Sequence, residues 1–236
     1  PKQVRGETKY LIMSQATATM NHLSERINNM QESATIKMAK MSRELKAQGH
    51  NVIDLSLGEP DFDTPQYIKD AAKKAIDEGY TKYTPVPGYH ELRKAIVQKF
   101  KKENNLDYTT DQIVASTGAK QSIANVVLSL INPGDEVLLP APYWVSYAAI
   151  AELAEGKCVE IPTTIESNFK VTAALLEKYI TDKTKLIIFS SPCNPTGSVF
   201  SREELEAIAN VVKKHPKMFV LCDEIYEHIN FTGERH

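Results

Sequence analysis

From residue 111 to residue 222 the chain alternates between short apolar runs and longer segments with helical spacing. The apolar runs fall at 113–116, 136–139, 158–161, 186–190 and 219–222; the helical segments between them fall at 119–130, 143–153, 173–179 and 203–214. Few folds accept that order. Strands joined through helices come to lie parallel, and a parallel sheet needs helices over both of its faces. Leu186-Ile187-Ile188-Phe189 is apolar at every position, as a strand covered on both sides requires. The expected class is α/β, with a mainly parallel central sheet flanked by helices. Phe219 to Cys222 is expected to be one of its fully buried strands.

Upstream the pattern is less regular. Met30, Ala34, Met38, Met41 and Leu45 recur at three- and four-residue spacing and predict a helix over 30–48, stopped by Gly49. A short strand is expected at 52–57, then a turn-rich loop with Gly58 and Pro60. Pro65 suits the first turn of a helix running to about residue 78. Residues 80–87 are irregular, and a helix is expected over 88–102. Residues 1–19 are charged throughout their first part and lack the apolar core of a signal peptide, so they are set aside as an extension or arm. The last residues, 231–236, stop without closing an element.

Composition narrows the partners. With 25% charged residues and a net charge of −2, nothing favours nucleic acid or an acidic membrane surface. No run approaches about 18 apolar residues, the length of a membrane span. Cys158, Cys193 and Cys222 form no CxxC pair and lie in or beside apolar runs, which suits buried thiols in a reducing cytoplasm. The six histidines form no HxH or HxxxH pair, so no metal site is expected.

Four stretches place chemistry at the carboxyl ends of expected strands, the edge where ligands of open α/β sheets bind. In Asp223-Glu224-Ile225-Tyr226 an acid ends an apolar strand and a tyrosine follows three residues later. A carboxylate there is costly unless it meets a cation or donors, and a protonated ring nitrogen is its natural partner. In Ser190-Ser191-Pro192-Cys193-Asn194-Pro195-Thr196-Gly197 two prolines bracket Asn194. A tight loop explains that stretch as well as a fixed ligand donor does. Ser116-Thr117-Gly118-Ala119-Lys120-Gln121 passes from strand through glycine into helix. Such a junction offers free N–H groups to an anion, although a plain glycine turn has the same pattern. Pro140-Ala141-Pro142-Tyr143-Trp144 carries the only tryptophan, either a packing residue or a face for a planar ring.

Together these pieces resemble the class I pyridoxal-phosphate-dependent aminotransferases of fold type I, and among them the bacterial gamma-subgroup aspartate aminotransferases. Residues 56–62, 82–85, 116–121, 141–147, 190–197 and 223–228 carry the likeness, which extends over about residues 22–236. The resemblance implies pyridoxal 5'-phosphate as cofactor. Asp223 would pair with its pyridinium nitrogen, and Tyr226 and Asn194 would donate to its phenolic oxygen. Trp144 would stack on the ring. The backbone of Gly118, Ala119 and Lys120 would hold the phosphate, joined by Tyr83 from the adjacent subunit of a homodimer. Gly58, Trp144 and Asn194 would approach the substrate's α-carboxylate. The Ala141–Pro142 and Asn194–Pro195 bonds are expected to be cis.

The implied reaction is amino transfer from aspartate to 2-oxoglutarate through aldimine and ketimine intermediates, in the cytoplasm, with amino acids and 2-oxo acids as partners. Some members of the family also use prephenate. Residues 20–56 would contribute to a small domain and residues 57–236 would form the cofactor-binding large domain. The family's Schiff-base lysine and carboxylate-binding arginine lie downstream of Tyr226 and are not among the 236 residues. Lys213, Lys214 and Lys217 are read as solvated, so these residues by themselves are expected to be inactive and poorly folded. Two other readings share the ring contacts: a fold-type I lyase or decarboxylase, and a non-catalytic regulatory domain that binds the same cofactor.

Overall fold

The computed structural model describes residues 22–30, 33–55, 57–58 and 62–233. The expectations at residues 1–19, and those resting on Ser56 and Glu59-Pro60-Asp61, lie outside them. In chain order the α-helices are α1 (Glu25–Asn29), α2 (Ala34–Ala47), α3 (Gln66–Asp77), α4 (His90–Lys99), α5 (Ala119–Leu130), α6 (Ser146–Leu153), α7 (Ala173–Tyr179) and α8 (Arg202–Val212). The strands are β1 (Glu136–Ala141), β2 (Lys157–Pro162), β3 (Thr184–Ser190) and β4 (Phe219–Asp223). A π-helical turn, Phe100–Asn104, continues α4.

The sheet has the order β2-β1-β3-β4, and every pair is parallel. Side chains of the two inner strands alternate between the faces. Val137, Leu139, Leu186 and Ile188 pack on one side with Ile123 and Val127 of α5 and Tyr147 and Ile150 of α6. Leu138, Ile187 and Phe189 pack on the other with Leu176 of α7 and Ile208 and Val211 of α8. Burying each of these aliphatic side chains stabilises the fold by about 1.5–3 kcal/mol. The helices on the two faces therefore fix the pitch and ends of β1 and β3. Ser201 starts α8 with a reciprocal capping box, its hydroxyl accepting from the Glu204 amide while Glu204 accepts from the Ser201 amide.

The layered arrangement matches the expected class, with four local corrections. First, 113–116 is extended but, among the described residues, pairs with no strand; the Ala115 N–H donates instead to the Pro87 carbonyl at 3.0 Å. Gly88 makes that approach possible, because a Cβ there would stand 2.8 Å from the Ala115 Cβ. Second, 52–55 forms no strand. Ile53 and Leu55 are 85% and 90% exposed, and the segment is tied to α2 through Ser42 and Lys46, which both donate to Asp54 Oδ2. Third, the expected helix over 30–48 begins only at Ala34, since Met30 is extended, and the helix expected from 143 begins at Ser146.

The fourth correction concerns β4. Phe219 and Val220 are 45% and 46% exposed and Cys222 is exposed, so this strand is not fully buried. Its apolar run satisfies the pattern of an inner strand, but among the described residues it pairs with β3 alone. Only its final residue, Asp223, is buried. Among the described residues no helix is long and apolar enough to cross a membrane.

Candidate functional site

β3 and β4 end level with each other, Ser190 opposite Asp223. Beyond that rung the two chains diverge into the Ser191–Gly197 and Glu224–His228 stretches, still joined by the Ser191 N–H donating to the Asp223 carbonyl at 3.2 Å. The Asn194 N–H donates to the Ser190 hydroxyl at 3.2 Å, which folds its loop back over the strand end. Ser191–Pro192 and Asn194–Pro195 are both cis, as is Ala141–Pro142 after β1. The sequence reading anticipated the second and third of these and not the first.

Asp223 is buried and its carboxylate is served from two directions. Oδ2 accepts from the Tyr147 hydroxyl at 2.8 Å, and Oδ1 accepts from the Ile225 N–H at 3.2 Å. Burial, and then the Asp223 charge that its hydroxyl faces, push the Tyr147 phenol well above the usual tyrosine range. Tyr147 therefore stays a neutral donor. In the loop just before α6, Trp144 meets the Tyr147 ring edge-on at 5.6 Å between centroids. The Lys120 ammonium stands 4.7 Å from the centre of the Trp144 ring. Lys120, Trp144, Tyr147 and Asp223 thus form one continuous line from the start of α5 to the end of β4.

The start of α5 is open. Gly118 takes φ +82 and a Cβ there would meet nothing within 4 Å. The Gln121 side chain accepts from Thr117 N–H at 2.5 Å, and Gln121 N–H itself donates to the Gly118 carbonyl. The N–H groups of Ala119 and Lys120 point out of the first turn toward the positive end of the helix dipole.

The loop between β1 and α6 is pinned by the Tyr143 hydroxyl donating to Glu160 at 2.5 Å and by Thr163 donating to the Ala141 carbonyl at 2.5 Å. Tyr226 is half-buried in the turn after Asp223. Gly58 and Tyr83 are exposed, and no described contact joins either to the Asp223 edge. Lys213 and Lys217 are exposed and Lys214 pairs with Glu177 at 2.7 Å on the surface, as expected for solvated lysines. A groove of about 520 Å³ between α2 and residues 52–55 lies apart from this edge.

The residue that the sequence reading missed is Tyr147. Its signal was present: an aromatic hydroxyl three residues after Trp144, leading into the apolar run Ala148-Ala149-Ile150-Ala151, must find a buried acceptor.

Residues 50–236 match the sequence model of the family described as aminotransferase class I and II. The chain is 51% identical over 212 residues to a probable aspartate/prephenate aminotransferase of Rhizobium leguminosarum bv. phaseoli, covering 90% of this chain and 53% of that protein. It is 50% identical over 212 residues to the aspartate/prephenate aminotransferase of Nitrosomonas europaea, with the same two coverages, 90% and 53%. Among solved structures, the aspartate aminotransferase of Rhizobium meliloti superposes with a TM-score of 0.87 at 42% identity, over 91% of this chain and 54% of that one. The Thermus thermophilus aspartate aminotransferase with maleate gives 0.88 at 41% identity, over 92% and 56%. The chain spans about half the length of the relatives it matches.

Proposed function

Because the chain belongs to the class I and II aminotransferases, we propose that the protein transfers the amino group of aspartate to a 2-oxo acid with pyridoxal 5'-phosphate as cofactor. The observation that carries this reading is the buried Asp223 carboxylate, held by Tyr147 at the sheet edge beside Trp144 and the open start of α5. The donor set fits the group. A buried acid whose two oxygens accept from Tyr147 and Ile225 suits a protonated ring nitrogen. The open glycine turn at Gly118, with two helix-start N–H groups, suits a phosphate. The cofactor would supply the electron sink for the negative charge that develops at the substrate's α-carbon.

The chain's own residues then have distinct tasks. Asp223 holds a proton on the ring nitrogen by offering it a neighbouring negative charge. Tyr147 holds Asp223 in place and gives it no proton. Tyr226 and Asn194 donate to the phenolic oxygen and keep it anionic. Gly118, Ala119 and Lys120 take the phosphate, and the Lys120 ammonium adds charge at the same end. Trp144 closes one face of the ring against water, and with Gly58 and Asn194 it borders the substrate's α-carboxylate. The names of the relatives, aspartate/prephenate aminotransferase, support prephenate as one acceptor beside 2-oxoglutarate.

The reading includes a cytoplasmic homodimer in which Tyr83 reaches the partner's phosphate. Phe62, Tyr67, Tyr83 and Val86 are all strongly exposed, an apolar stretch that a second subunit would cover. It also assigns residues 20–56 to a small domain and residues 57–236 to the large one. The test is spectroscopic. Protein expressed from its complete gene and supplied with pyridoxal phosphate should show a visible absorption band. Aspartate should displace the band, and a 2-oxo acid, prephenate included, should restore it. A protein that develops no band with the cofactor present would end the proposal.

A further inference from the structure

The turn that carries Tyr226 is tied to the rest of the molecule through the two residues that follow it. Glu227 Oε2 accepts from Lys99 Nζ at 2.6 Å, in a pair whose side chains are only 20% and 29% exposed. His228 Nε2 lies 3.5 Å from Glu227 Oε1 and 3.8 Å from Glu103 Oε2. Lys99 also donates to Asn104 Oδ1 at 3.0 Å and stands 3.7 Å from Glu103 Oε2. Burial works to raise the Glu227 carboxyl, but the Lys99 bond and charge outweigh it and hold the group below the usual carboxylate range.

Lys99 reaches so many partners because the helix changes winding at that point. In a π-helical turn the backbone bonds run from i to i+5, and such turns are rare, short and concentrated at functional sites. In Phe100–Asn104 the residues four and five beyond Lys99, Glu103 and Asn104, both lie within reach of its ammonium. Glu103 Oε2 is buried and accepts no hydrogen bond among the described residues; the Lys99 ammonium at 3.7 Å offsets its charge, and His228 Nε2 lies 3.8 Å away. Within the turn the bonds are local: Glu227 N–H to the Glu224 carbonyl, Ile229 N–H to the Tyr226 carbonyl, and Ile225 N–H to Asp223. Among the described residues, the hydrogen bonds and ion pairs from residues 224–228 to an element other than β4 run through the side chains of Glu227 and His228, to Lys99, Glu103 and Asn104.

We propose that Lys99 and Glu227 are positioning residues for Tyr226: their ion pair, seated on the π-helical turn, sets where the Tyr226 hydroxyl stands relative to the Asp223 edge. Glu227 adjoins Tyr226 in sequence, so a shift of its carboxylate moves the backbone that carries the phenol. This rests on the reading of Tyr226 as a donor to the phenolic oxygen of the bound ring.

The test uses the protein expressed from its complete gene and loaded with pyridoxal phosphate. A donor to an anionic oxygen lowers the pH at which the ring system takes up its proton, so losing it raises the pH midpoint of the visible band. Tyr226→Phe sets the full size of that rise. Lys99→Met and Glu227→Gln should raise the midpoint in the same direction, by about one pH unit, tenfold in the ionisation constant. Lys99→Arg, which keeps a cation between Glu227 and Glu103, should hold the midpoint near the wild-type value, which a general loss of packing would not do. Lys99→Met and Glu227→Gln proteins that bind the cofactor with a wild-type midpoint, while Tyr226→Phe shifts it, would overturn the proposal alone. Wild-type protein with no band, or a Tyr226→Phe midpoint equal to wild type, would overturn the underlying reading and the proposal with it.

Discussion

The Tyr147 hydroxyl donates to Asp223 Oδ2 at 2.8 Å, across 76 residues of sequence and between the first turns of α6 and the last residue of β4. The bond links a side chain of the helical layer to the functional edge of the sheet. It makes the acid's position depend on the packing of α6 as well as on β4.

Removing that donor should have two effects. Tyr147→Phe keeps the ring and its contact with Trp144 but leaves one carboxylate oxygen of a buried acid without its partner. The expected loss of stability is about 1–3 kcal/mol, measured by denaturant unfolding. Affinity for pyridoxal phosphate should fall as well, because the acid is no longer held toward the ring.

Asp223→Ala should lower turnover by at least about 10²–10³-fold, the range seen when one preorganised electrostatic group is removed from a site. Asp223→Asn is the sharper variant. It can retain the Tyr147 bond while losing the charge, so its stability should remain near wild type while its turnover falls. Equal turnover in Asp223→Asn and wild type would show that the charge has no part in the reaction.

On the proposed roles, Asn194→Ala should leave measurable activity, because Tyr226 would still donate to the same oxygen. The pH midpoint of the visible band should rise. The double variant with Tyr226→Phe should raise it further than either single change.

Trp144 is the only tryptophan of the chain, and its ring is already in contact with Lys120 and Tyr147. Trp144→Ala should weaken cofactor binding by up to about tenfold, the contribution of one aromatic stacking contact. Lys120→Met should weaken it too, with a loss that shrinks as salt is raised, because the interaction is ionic at a partly solvated site.

An acid-stability prediction follows from Glu136, which is buried at the start of β1. The Thr181 hydroxyl bond first, and then the Lys157 bond and charge with Lys183 beyond, hold its carboxyl below the ordinary value of 4.5. A depressed folded value means that the unfolded chain binds the proton more readily. The stabilisation is therefore present above about pH 4.5 and is lost as the pH falls through the lower folded value. Unfolding measured between pH 3 and pH 6 should show that loss, and Glu136→Gln should flatten it.

Much of the layer structure was legible because α5, α7 and β3 carry complete local signals. The helix at 119–130 and the helix at 173–179 occur where the spacing predicts them. Residues 52–55 and 113–116 have strand composition but, among the described residues, no neighbour to pair with, and a single run of sequence cannot report its partners. The exposure of Phe219 and Val220 was hidden for the same reason: an apolar run looks alike at the centre and at the edge of a sheet. At the candidate site, the positions of Asp223, Trp144, Lys120 and Asn194 beside strand ends were legible in the sequence. Tyr147 was overlooked, since its role depends on a contact across the layers that spacing alone does not reveal.

Ser190 and Asp223 stand on one rung of the sheet, and side chains alternate along each strand. Adding or deleting one residue inside β4 would send the acid to the opposite side and bring Cys222 or Glu224 to its place. Changes of length in this region can therefore be absorbed between α8 and β4, at about residues 213–218, and not within the five residues of the strand. Natural variants with insertions there should remain active, whereas a one-residue insertion between Phe219 and Asp223 should yield a protein that no longer takes up the ring.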